Sequence, residues 1–285
     1  MVQTNVKLNN KEYEHKRIKS IINYDFGEKT LAPTFIILTV IYFMVLIAPI
    51  AFLVKYSGII NIVNTICDSE NIKCIGLTLW TSLVSLALTF IFGTATAFYI
   101  SGISNKFMVK LLDIMVEMPV VLPPAVAGIS LLLVLGNNSF IGKLLSYYNI
   151  NIVFTPIAVV IAQFFVSSAF YVKALRNSIR DVPDEIFEAS YVFGAGKLQT
   201  NVMVIIPMLK RTIISGLILA WIRSMGEFGA TLMFAGNILD KTRTISLQIY
   251  TYMQSDIKEA TAFAAILYFL SFSMLLAIKT TQNDD

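Results

Sequence analysis

The chain has 285 residues, 56% of them hydrophobic and only 14% charged, with a formal net charge of +4. A soluble domain carries about 25% charged residues, so the composition excludes an ordinary soluble domain and points to an integral membrane protein. One histidine, His15, and two cysteines, Cys67 and Cys74, cannot assemble a metal site.

Residues 1–30 are polar and mixed in charge and read as a cytosolic N-terminal extension. They do not read as a signal peptide, because the apolar run that follows is far longer than an h-region of ~7–15 residues. That run, 31–54, is the first of six predicted spans. The others are 75–100, roughly 114–136, about 152–172, about 212–235 and about 260–278, each near the ~20 residues a helix needs to cross the hydrocarbon core. The third is interrupted by MPVVLPP. Pro119, Pro123 and Pro124 free backbone carbonyls there, which is tolerated where the break faces protein or a water-filled cavity. A hinge or pathway role stands beside a fixed kink. Cys67 and Cys74 fall at the end of the first external loop, where a disulfide and two unpaired thiols are both open.

Charge placement sets the orientation. With the N-terminus inside, fifteen of the 22 basic residues lie in internal segments and six in external ones, Arg223 being within a span. The basic excess is therefore a topology signal and not a nucleic-acid footprint. The predicted fold is an all-α membrane domain over 31–279, with both termini cytosolic and a short cytosolic tail, 280–285.

The longest internal loop, 173–211, contains a polar island, EASYVFGAGKLQTNVMVIIP. Pro183, Asp184 and Glu185 suit a helix start. Val182, Ile186, Ala189 and Phe193 form one apolar stripe, and Gly194 and Gly196 end the helix. A second short helix leads to a break at Pro207. An isolated helix this short is marginal and must pack on something. Physics alone leaves two choices: an interfacial helix lying on membrane lipid, or a docking element for a cytosolic partner.

The residues Glu188-Ala189-Ser190, three residues, Gly194, nine residues, then Val204-Ile205-Ile206-Pro207 resemble the signature loop of ABC importer permease subunits. Ser, Val and Ile replace that pattern's second Ala, its Ile and its Leu. The resemblance implies a type I importer permease whose coupling helix, with Glu188, Ala189, Ser190, Gly194 and Pro207, sits in a cleft of an ATP-binding subunit. RSMGEFGATLMFAGN at 223–237, KTRTISLQIYTYMQSD at 241–256 and MPVVLPPAVAGISLLLVLG at 118–136 resemble molybdate-type permeases, with sulfate and tungstate permeases as related alternatives. This implies a plasma-membrane homodimer served by two ATP-binding subunits, which hold ATP and Mg, and by an external molybdate-binding protein. No cofactor is expected in this chain.

Arg223 and Glu227 support transport independently. Four residues apart, they share a helix face, and lipid exposure of such charges is costly. They read either as an internal salt bridge or as groups lining or gating an anion path. Pro123 and Pro124 are candidates for the same path. Gly216, Ala220 and Ser224 form a small-residue face, for tight packing or for a sliding permease dimer interface. There is no G-x-x-x-x-G-K-[ST] run and no usable catalytic histidine, so ATP hydrolysis is assigned to a partner subunit. A self-contained secondary anion transporter accounts for Arg223 and Glu227 but not for the 188–207 loop.

Overall fold

The computed structural model describes residues 28–282. The N-terminal extension up to residue 27, His15 with it, and tail residues 283–285 lie outside the described residues. Every regular element among the described residues is helical. The described residues form two units, divided between Phe52 and Leu53.

The first unit contains most of α1 (Glu28–Ser57). From Pro33 to Pro49 it carries no charged residue, the pattern of a membrane-spanning helix.

The second unit holds the remaining helices: α2 (Ile59–Cys67), α3 (Ser69–Ser101), α4 (Lys106–Val121), α5 (Pro124–Leu135), α6 (Phe140–Tyr147) and α7 (Pro156–Arg180). They are followed by α8 (Asp184–Val192), α9 (Lys197–Met208), α10 (Lys210–Met225), α11 (Gly229–Ala235), α12 (Ile245–Met253) and α13 (Ile257–Gln282). Four uninterrupted helices are long and apolar enough to span: Pro33–Ser57, α3, α7 and Ile257–Leu276. Two more candidate spans are bent pairs, α4 with α5 at 111° and α9 with α10 at 75°.

The first break falls at Leu122-Pro123, where the sequence places it. Pro124 begins α5 at a position where a missing N–H costs nothing. The fourth span is displaced from its expected 152–172. Pro156 delays its start, and it continues to Arg180, three residues before Pro183.

The core is built on Tyr171 of α7. Its ring lies between two glycine positions: a Cβ on Gly93 of α3 would approach it to 2.8 Å, and one on Gly216 of α10 to 3.1 Å. Its hydroxyl shares a hydrogen bond with Thr94 Oγ1 at 2.7 Å. These contacts set the register. α3 runs parallel to α7, pairing Gly93 and Thr94 with Tyr171. α10 runs antiparallel, with Thr212 against Ser178 and Gly216 against Tyr171 and Ala174. The small face of α10 is thus used inside the chain, where Gly216, Ala220 and Ser224 are all buried. A second cluster joins α5, α7 and α11 through Ala127, Ala162, Val166, Ala230 and Phe234. A third joins α3, α12 and α13 through Cys74, Ile245 and Phe263. Cys67 is an exposed free thiol and Cys74 a buried one, which decides the disulfide question against pairing.

Candidate functional site

Two regions carry the candidate residues. The first is the end of the second unit that bears α8. Residues 179–182 anchor it, with Ile179 and Val182 buried. α8 ends in a Schellman motif: Ala195 N donates to Ser190 O at 3.1 Å and Gly194 N to Tyr191 O at 2.9 Å. Gly194 takes φ 83°, the left-handed conformation that glycine adopts without a Cβ penalty, as expected. Gly196 does not. It is extended at φ −73° and starts α9, its N–H donating to Gln199 Oε1 at 2.9 Å.

The expected apolar stripe is only half buried. Val182 is buried and Ile186 half-buried, but Ala189 and Phe193 are exposed. The reason is length: nine residues rest only their N-terminal half on the bundle. Tyr191, Val192 and Phe193 stand clear, the last at 89% exposure, and Leu198 and Met203 are exposed nearby in sequence. Glu188 and Ala189 are on the exposed side. Ser190 is buried, its hydroxyl donating to Ile186 O.

Pro207 is separate from this surface. It lies inside α9, and the break before α10 comes at Leu209, two residues later than expected. A π turn over Asn201–Ile205 widens the helix just where the proline ring would press on the preceding turn, so the chain continues past it.

Two ion pairs tie α4 to α7 near this end. Arg176 Nη1 meets Asp113 Oδ1, and Lys173 Nζ lies 2.9 Å from Glu117 Oε1. Sequence reasoning did not single out these residues. The legible signal is Asp113 and Glu117, two carboxylates four apart at the start of an otherwise apolar span. Asp113 and Glu117 lie on the limb of the α4–α5 pair that precedes the break, so the two ion pairs join that limb to α7.

The second region is where the α4–α5 break meets the break between α10 and α11. α10 ends at Met225, so Arg223 and Glu227 do not share one continuous helix as expected; Glu227 lies in the break before α11. They are nevertheless paired, Arg223 Nη1 being 2.8 Å from Glu227 Oε2. Glu227 is 1% exposed, and its Oε1 accepts from Ala230 N at 2.9 Å, satisfying an otherwise free donor at the start of α11. Arg223 is one-third exposed. The α4–α5 break abuts this turn. A Cβ on Gly229 would lie 2.7 Å from Pro124 Cβ, and one on Gly128 2.7 Å from Ala230 O. Backbone thus packs on backbone, and Pro123, Pro124, Gly229 and Glu227 come together.

Sequence reasoning also missed Gln163. It is fully buried on α7, and neither amide atom has a protein partner. Its neighbours Ala162 and Val166 belong to the cluster that holds Ala230 and Phe234 of α11. The hydroxyls of Ser85, Thr89 and Thr231 are likewise buried without protein partners.

Broken spans, a charge pair beside one of the breaks and a short exposed helix between two spans are what a permease is expected to show. Residues 90–281 match the model of the binding-protein-dependent transport system inner membrane component. The chain belongs to this family and is therefore a multi-pass inner-membrane component of an ABC importer, not the ATPase. It is 60% identical over 262 residues to the probable transport system permease protein NifC of Clostridium pasteurianum, covering 92% of each chain. It is 34% identical over 202 residues to the molybdenum transport system permease protein ModB of Mycobacterium bovis, covering 71% of this chain and 76% of the relative. It is 35% identical over 174 residues to the sulfate transport system permease protein CysT of Salmonella typhimurium, covering 61% and 63%. The fold is shared with a bacterial ABC transporter involved in import of the acidic polysaccharide alginate, at TM-score 0.71 and 18% identity, over 94% of this chain and 100% of that one.

Proposed function

We propose that the chain is the permease of an ATP-driven importer for molybdate, working as a homodimer with two ATP-binding subunits and an external molybdate-binding protein. The observation that carries the coupling role is α8: a nine-residue helix fixed at its N-terminal half, with Tyr191, Val192 and Phe193 exposed at the other. In this reading that end faces the cytosol, and Glu188, Ala189, Ser190 and Gly194 shape the surface an ATP-binding subunit holds. Pro207 acts apart from it, setting the course of α9 towards α10. The positive-inside distribution supports this orientation, and the same distribution puts both termini in the cytosol.

ATP binding draws the two α8 helices together. α7 follows, the Asp113–Arg176 and Glu117–Lys173 pairs carry α4 with it, and the junction of Pro123–Pro124 with Glu227 reorganises. Arg223 supplies attraction for an anion while Glu227 keeps the site from trapping it, as rapid passage requires weak binding. The ATP supplies the free energy through its different affinity for the two states. The ModB relative and the molybdate-like text at 223–256 favour molybdate. The CysT relative favours sulfate as the second reading.

The test is uptake of radiolabelled molybdate by vesicles holding the chain with its ATP-binding subunit and binding protein. Uptake that needs ATP and both partners, and that resists excess sulfate, is the expected result. Suppression by sulfate moves the substrate to sulfate. Uptake by the chain alone under an ion gradient rejects the importer reading.

A further inference from the structure

A second charged site lies at the opposite end of α3 from α8. The helix is 33 residues long, about 50 Å at 1.5 Å per residue, and a cavity of about 610 Å³ opens at its first turns. Lys73, Cys74, Trp80, Asp240, Lys241 and Arg243 are among its walls. One wall is the loop from Gly236 to Thr244, which is tightly closed on itself. The N–H groups of Lys241, Thr242 and Arg243 all point to Ile238 O at 2.9–3.2 Å, and Thr242 Oγ1 both accepts from Ile238 N and donates to Gly236 O.

That loop holds Arg243 in place without neutralising it. Its Nε donates to Asn237 Oδ1 at 2.8 Å and its Nη1 to Gln248 Oε1 at 3.3 Å. Both acceptors are neutral amides, themselves fixed: Asn237 Nδ2 donates to Thr251 Oγ1, and Gln248 Nε2 to Asn71 Oδ1. Among the described residues no carboxylate pairs with Arg243, and Nη2 is uncommitted. Of the other charges in the walls, Asp240 is taken by Lys73 at 2.9 Å, which leaves Lys241 and Arg243 in excess. Asp68 and Glu70, the nearby acids of α3's first turn, are outside the walls; Asp68 is engaged in capping that helix through Glu70 N and Asn71 N. A guanidinium oriented by neutral partners, with one edge free and a surplus of positive charge around it, is complementary to a multi-oxygen anion.

We propose that this cavity is an anion-receiving site for a tetrahedral oxyanion, with Arg243 as the principal contact and Lys241 as the attracting charge. It rests on the oxyanion-import reading. In that reading it lies on the external side, where the binding protein releases its cargo. Because the anion must move on, the site holds it weakly, with the Lys73–Asp240 pair limiting the surplus.

The experiment is equilibrium binding of radiolabelled sulfate and molybdate to the complex of the chain with its ATP-binding subunit, in lipid nanodiscs at low salt and without binding protein. Saturable weak binding is expected. Lys241→Gln, at an exposed side chain with no ion-pair partner among the described residues, is expected to weaken it about three- to tenfold, and Asp240→Asn to tighten it by a similar factor, one unit charge each way. Arg243→Gln is expected to abolish it. The gain with Asp240→Asn is one that mere damage to the loop does not produce. Absence of saturable binding, or binding unmoved by Lys241→Gln and Asp240→Asn, overturns the site. If the complete system then still imports molybdate or sulfate, the import reading stands without it. Charge-sensitive binding with no import of either anion instead overturns the import reading and leaves the cavity an anion site.

Discussion

Replacing Glu227 separates two jobs that one side chain performs. Oε1 caps α11 through Ala230 N, and Oε2 faces Arg223. Glu227→Ala removes both in a place with 1% exposure. A buried N–H left without an acceptor costs about 1–3 kcal/mol. Loss of the counter-ion adds about 1 kcal/mol, because Arg223 is one-third exposed and water screens it. The expected loss is therefore about 2–4 kcal/mol. Glu227→Gln keeps a carbonyl oxygen for Ala230 N and loses only the charge, so its expected cost is about 1 kcal/mol. The assay is thermal inactivation of the assembled complex in one detergent, comparing both variants with the parent. At a few degrees per kcal/mol for a chain of this size, Glu227→Ala should fall clearly below Glu227→Gln. Equal destabilisation by the two would refute the capping argument and make the charge dominant. If neither moved the midpoint, the junction would have no structural weight.

Gly194→Val places a β-branched residue at φ 83°, costing about 1–2 kcal/mol locally with no clash in the open space around it; co-purification of the ATP-binding subunit should drop while membrane insertion is unchanged. Asp113→Asn unpairs the partly buried Arg176 and loosens α4 from α7, so the ATP-binding subunit should remain bound while uptake per ATP hydrolysed falls. Gly216→Val drives a branched side chain against the Tyr171 ring, which a bare Cβ would already meet at 3.1 Å; overpacking of about 1–3 kcal/mol should appear as a lower inactivation midpoint.

Much of the architecture is legible in the chain because its cause is local. A run of apolar residues long enough to cross hydrocarbon must be helical, since no water is there to take up free backbone groups. The helices over 28–57, 69–101 and 257–282 accordingly enclose the runs from which they were expected. Proline acts just as locally, and the break at Leu122-Pro123 follows from the text. So does the turn at Gly194, where a left-handed residue ends a short helix.

Other features depend on what lies across the interface. Pro207 does not end its helix, because a π turn upstream accommodates it. Phe193 does not join the buried face of α8, because the bundle beneath that helix ends too soon. The spacing of Arg223 and Glu227 is readable, but the break that puts Glu227 outside the helix of Arg223, and the packing of Pro124 against Gly229 beside it, are not. Gln163 is one polar residue on a long helix until the fold buries it with neither amide atom partnered. Arg243 is one of 22 basic residues until the loop folds and leaves it without a carboxylate. The chain by itself determined which segments are helical, because backbone satisfaction in lipid is decided residue by residue. Only the tertiary structure decided which charges are compensated and which breaks meet, because both are set by neighbours distant in sequence.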